Sequence, residues 1–181
     1  MSEVSLPGRQ HRDEAIFGWV MAIAFVILLY NIVSLPRLPL DERAGMRAFH
    51  DTFGLIFIVL TIWRLSWMAR RPAPRPPDGL PVNSFGFNRA LLAALYLTFV
   101  ITGAVGLVYG WGEFDREVVM FGLTIASPFG ESDSVRKTFG YLHSSLGFYY
   151  LMLVGVWLVF GVYQHLRYRC GLLRLFPGAR V

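Results

Sequence analysis

The chain has 181 residues, 55% of them hydrophobic, a formal net charge of +5 and a single cysteine. Its apolar residues fall in four long blocks rather than on alternating faces, which excludes an ordinary water-soluble domain and a barrel of alternating strands. The arginines flank these blocks instead of forming one basic face, so the positive charge reflects topology and headgroup contact, not nucleic-acid binding.

A bilayer core of roughly 30 Å takes about 20 apolar residues in helical form. Blocks at about 15–35, 52–69, 90–111 and 144–163 approach that length. Backbone groups in lipid must be satisfied internally, which leaves helices as the spanning elements. The expected fold is all-α, a transmembrane four-helix bundle in up-down-up-down order. Residues 1–13 are read as a polar N-terminal segment, 14–176 as the four-helix domain and 177–181 as a tail.

The first block runs on without an Ala-x-Ala-like site and ends in Ser34-Leu35-Pro36-Arg37, so it is read as a retained span rather than a cleaved leader. Pro36, Pro39 and the pair Asp41-Glu42 then break the chain before the second block, which closes on Ile62-Trp63-Arg64. Arg64 is expected to snorkel to the headgroups, with contact to an anionic or quinone ligand as the alternative. The linker from Arg70 to Gly79 carries Pro72, Pro74, Pro76 and Pro77 and should be extended.

The third block contains Gly103, Gly106 and Gly110, which suit close helix contact. The link that follows, from about Trp111 to Leu142, is too long for a simple turn. Its stretch from Arg116 to Leu123 mixes apolar and charged residues at helical spacing, so a short amphipathic helix lying flat on the surface is expected, able to act as a lid. The fourth block opens on His143 and leads into a basic tail holding Cys170, which has no partner for an internal disulfide.

Lys and Arg divide ten to six between the side holding both termini and the opposite side, with Arg64 inside a span. The richer side is expected to be cytoplasmic, together with both termini.

Two segments share one pattern: His50-Asp-Thr-Phe-Gly54 and His143-Ser-Ser-Leu-Gly147. Both histidines head spans that run inward from the same side, so they stand at similar depth. Neutral imidazole is a common axial ligand of haem iron, and two facing ones give a six-coordinate centre suited to electron transfer. A glycine at i+4 lies on the same helical face, one turn deeper, and removes the side chain that would push a porphyrin away. Either histidine alone also fits an interfacial polar residue; the joint pattern carries the argument. His50 and His143 are thus the expected metal ligands of one haem b, with Gly54 and Gly147 beside it. Arg43, Arg47, Arg136 and Lys137 lie close enough in sequence to pair with its propionates, or to be ordinary loop charges.

These features together resemble the bacterial cytochrome b561 family: four spans, His50 and His143 in those places, Phe121-Gly122-Leu123 in the long outer loop, Ile62-Trp63-Arg64 closing the second span, and the tail from Leu172 to Pro177. The resemblance covers roughly residues 15–176. It implies a multi-pass protein of the bacterial inner membrane that exchanges electrons with the quinone pool, ubiquinone being a candidate substrate. Family members usually carry a second haem near the inner face, with ligands from the first and fourth helices. At those places this chain reads Gly18, before Trp19, and Trp157, so the inner haem is expected to be missing. Trp157 would fill the space, with Gly18 opposite making room for it, the alternative being that Trp157 faces lipid. His11 and His165 are the remaining candidates for a displaced inner haem; they read better as surface histidines.

The leading expectation is a single-haem cytochrome that moves electrons between a periplasmic donor and quinone. The family's best-described activity, oxidation of superoxide, draws on a cationic outer surface. Here the outer side holds eight acidic residues against six basic ones, a poor funnel for an anion. The alternative is an accessory or structural subunit of a larger respiratory or photosynthetic complex, its haem redundant or lost. Expected partners are membrane lipid, quinone and a membrane or periplasmic redox protein, and no nucleic acid.

Overall fold

The computed structural model describes residues 7–70, 76, 79–113 and 117–169, the first nine of them as backbone only. Four helices carry the chain: α1 Pro7–Ser34, α2 Arg43–Arg70, α3 Val82–Gly112 and α4 Asp133–Tyr168. All four are long and apolar enough to cross a membrane, and the structure is 81% helical. The expected all-α four-helix bundle is what the chain forms.

The helices outrun the apolar blocks because hydropathy marks only the stretch that faces hydrocarbon, while a helix continues into the headgroup layer with its charges in water. The excess is largest where the histidines are. α2 begins seven residues before His50 and α4 ten before His143, so both lie well inside helices rather than at their ends. Ser132 caps α4, its Oγ accepting the N–H of Val135 at 3.4 Å.

Packing is uneven. α3 and α4 run together along their length, seamed by small residues: a Cβ on Gly112 would meet Val135 at 2.7 Å, and one on Gly140 would meet the Tyr109 ring at 2.9 Å. α2 touches both α1 and α3, but among the described residues no backbone of α1 comes near that of α4. The bundle is therefore a close pair, α3 and α4, with α2 and α1 arranged around an interior that side chains alone must close. In the half that holds the α1–α2 and α3–α4 links, labelled outer after the expected orientation, they do so only in part, through Ala24, Leu28 and Phe57 with Phe53, Ile56, Leu60 and Phe99 around them.

The long link is not the amphipathic helix expected from its spacing. Among its described residues it forms an antiparallel hairpin, β1 Val118–Met120 with β2 Leu123–Ile125, Met120 facing Leu123. Phe121 and Gly122 both have positive φ, 54° and 75°, as a tight two-residue hairpin turn requires. Val-Val-Met and Leu-Thr-Ile favour strand over helix once such a turn can form. The hairpin packs mainly on α2 and also touches α3. The proline linker's residues 71–75, 77 and 78, the tail with Cys170, and the side chain of His11 fall outside the described residues.

Candidate functional site

His50 and His143 face each other across the outer half of the bundle, ring centroids 6.2 Å apart and planes nearly perpendicular at 87°. Two imidazole–metal bonds of about 2 Å, each with a little over 1 Å from nitrogen to ring centre, span about 6 Å. The pair is thus spaced to hold one metal ion between them.

The histidines border a partly open apolar cleft of about 90 Å³, lined by residues of all four helices, among them Phe25, Leu28, Ile58, Phe99, Tyr150 and Leu151. Gly54 and Gly147 line it too, and a Cβ placed on either would meet nothing within 4 Å. Both glycines face open space beside the two rings, so a flat group would find room there.

Each ring is oriented by its surroundings. His143 Nδ1 lies 2.9 Å from the carbonyl oxygen of Thr102. A carbonyl can only accept, so Nδ1 carries the proton and the Nε2 lone pair is left for a metal. Tyr109 stacks near the same ring, 6.4 Å away at 22°. Gly106, read from sequence only as a helix-packing glycine, seats that ring: a Cβ there would come within 2.6 Å of it. Gly103 does serve helix packing, for its missing side chain makes way for Ile58 of α2. On the other side, Asn31 is fully buried and donates from Nδ2 to the carbonyl of Met46 at 2.9 Å. Met46 is one turn before His50, so this bond fixes α2 against α1 at the level of the imidazole. Asn31 sits in an unbroken apolar block, and only its burial reveals it.

The residue set fits a haem in its chemistry as well as its spacing: two imidazoles of the kind that ligate haem iron, apolar walls and glycines beside them. The sequence model of the prokaryotic cytochrome b561 family matches residues 12–178. The chain belongs to that family. No curated protein matches it. As a b561 protein it is a membrane b-type cytochrome of electron transfer, and its four long apolar helices make it multi-pass.

The four cations differ in what they already hold. Arg43 donates from Nε to Leu38 O at 3.0 Å and from Nη2 to Pro36 O at 3.1 Å, tying down the turn after α1. Arg136 and Lys137 both pair with Asp133, each at 2.6 Å. Arg47, half-buried and three residues before His50, makes no ion pair among the described residues.

The inner half of this b561 bundle is built differently. Phe25 and Tyr150 meet at 6.0 Å, edge to face. Seven residues further inward on each helix, close to the same faces, stand Gly18 and Trp157. Trp157 is half-buried, and its indole N–H is buried without a hydrogen-bond partner among the described residues. Arg64 departs from the snorkelling expectation. It is only 7% exposed, its guanidinium 5.2 Å from the centre of the Phe17 ring and 6.0 Å from that of Trp67. Thr61, Leu91, Leu95 and Tyr96 are buried in the same half, and Gln164 donates to Ser84 O and Oγ at 3.1 and 3.0 Å. Arg64 and Trp157 each follow a candidate ligand by fourteen residues, so they occupy matching places on α2 and α4.

Proposed function

We propose that the chain holds one b-type haem in its outer half, between His50 and His143, and passes single electrons between a water-accessible donor on that side and quinone in the adjoining lipid. The observation that carries this reading is the imidazole pair spaced at 6.2 Å across an apolar cleft. When bound, the haem supplies a reversible one-electron couple. Everything else is the work of the protein.

Thr102 sets the tautomer of His143 and Gly106 lets its ring lie flat against α3. Asn31 holds the turn that presents His50. Two protein ligands leave no open coordination position, which favours electron transfer over oxygen binding. The apolar walls keep water away and hold the reorganisation cost of each transfer low. Arg47 is the cation best placed to meet a propionate, because Arg43, Arg136 and Lys137 are engaged elsewhere. Trp157 and Arg64 in the inner half support a single centre, since indole and guanidinium stand fourteen residues below the two ligands. His165, half-buried with its Nδ1 free of hydrogen bonds among the described residues, is eight residues beyond Trp157 and faces no imidazole among the described side chains.

In this reading residues 14–176 form the functional domain, both termini are cytoplasmic in a bacterial inner membrane, and the outer acidic excess disfavours superoxide as donor. The test is a pyridine haemochrome assay on the purified full chain, followed by reduction with a ubiquinol analogue. One haem per chain that turns over with quinol is expected. Two haems would bring His11 and His165 into ligation; a haem inert to quinol would leave an accessory subunit.

A further inference from the structure

The hairpin lies on the side of α2 that faces away from the cleft. Residues two apart on an α-helix point about 200° from one another, so with His50 turned inward Thr52 points outward. There its Oγ1 accepts the N–H of Phe121 at 3.1 Å. At about 1.5 Å per residue the turn meets α2 some 13 Å inward of Arg43. That point is one residue past Asp51, the last charged side chain before Arg64. The hairpin tip therefore stands where the charged outer end of α2 gives way to its apolar span.

At that level the hairpin uncovers apolar side chains. Val118 is buried against the protein, whereas Phe121 and Leu123 are 63% and 67% exposed and Ile125 is exposed as well. The outward stripe of α2 that starts at Thr52 continues in Val59 and Trp63, both exposed and both at lipid depth. The hairpin's apolar edge is continuous with that stripe. Thr124, between Leu123 and Ile125, turns to the opposite face of β2, where its Oγ1 donates to Glu117 Oε2 at 3.0 Å, and strand pairing satisfies part of the hairpin's backbone.

We propose that the β1–β2 hairpin is an interfacial membrane anchor, with Phe121, Leu123 and Ile125 seated among outer-leaflet lipids at the boundary of acyl chains and headgroups. Its occupant is the lipid that already surrounds α2, because any other partner would have to displace that lipid to reach the same depth. The anchor braces α2 from outside at the level of His50. The inference rests on the spans and not on the haem.

The test is site-directed spin labelling of the full chain in phosphatidylcholine–phosphatidylglycerol nanodiscs, in a Cys170→Ser background. Labels at Phe121→Cys and Leu123→Cys are compared with Val59→Cys as the lipid reference and Glu131→Cys as the aqueous one. Collision with oxygen should exceed collision with a water-soluble nickel chelate several-fold at 121 and 123, as at 59 and unlike 131. Nickel accessibility equal to that at 131 would overturn the proposal and leave a water-facing surface open to a protein partner. Phe121→Trp provides a second readout without a label: its added fluorescence should be quenched by lipids brominated near the headgroup, and an unquenched increment counts equally against the anchor.

Discussion

The outer and inner halves of the bundle share four helices, yet an apolar cleft lies beside two histidines in the outer half, while the inner half carries large side chains at the matching places. The difference is made by a few positions. Where α2 and α4 carry His50, Gly54, His143 and Gly147, the walls are imidazoles and gaps. Fourteen residues on, the same two helices carry Arg64, which is buried, and Trp157, which is half-buried. A missing Cβ beside a ring nitrogen invites a flat group, while a large side chain at the matching place makes one unnecessary.

The largest effect should come from the ligands. His50→Ala and His143→Ala are each expected to abolish the haem absorbance of the purified chain, read as haemochrome per polypeptide. Retention of the wild-type spectrum by either variant removes that residue from the ligand pair. Next come the glycines. Gly147→Leu puts a side chain into the cleft and should cut haem content at least about tenfold, since an overfilled site cannot shift a packed wall without strain. Gly155→Leu, on an exposed part of α4 with nothing within 4 Å of its Cβ, should leave haem content unchanged. Equal losses in both would mean that general disturbance of α4, and not the cleft, sets haem content. A finer test of the same contrast is Gly106→Ala, which crowds the His143 ring. It should shift the midpoint potential and Soret maximum while much of the haem is kept, and an unaltered spectrum would assign Gly106 to helix packing alone.

How far these halves could be told apart from sequence depends on the kind of signal. The spans were legible because hydropathy over about 20 residues has few competing explanations. The repeated His-x-x-x-Gly segments were legible because i and i+4 share a helical face whatever surrounds them. Gly106 was read for close approach, but what approaches it belongs to α4, and no local pattern announces a tertiary neighbour. Asn31 carries no periodic signal at all. Arg64 was misjudged for a related reason: a charge near a span's end usually reaches water, and here the aromatic surfaces of Phe17 and Trp67 stand beside the buried guanidinium. The hairpin was missed because helical spacing of mixed residues outweighed the strand preference of Val118 and Val119, with Phe121-Gly122 unrecognised as a turn.

The smaller effects belong to the inner half, and they separate packing from cofactor binding. Trp157→Ala should leave haem per chain unchanged and lower stability by about 2–4 kcal/mol, near or below the usual cost of deleting a core tryptophan because the ring is only half-buried. A thermal or denaturant titration of the haem-loaded chain measures it, and a fall in haem content would show that this side chain supports the outer site after all. Gln164→Leu is the mildest case. Its amide bonds α4 to Ser84 of α3 from a position 3% exposed, and losing these part-buried hydrogen bonds costs on the order of 1–3 kcal/mol. α3 and α4 stay seamed by Gly106, Gly112 and Gly140 further out, so the loss should fray the inner ends alone. Hydrogen exchange near Ser84 should quicken while amides near Thr102 stay protected. Equal quickening at both levels would mean that the two halves unfold as one unit, and that their difference lies in what they bind and not in how they are held.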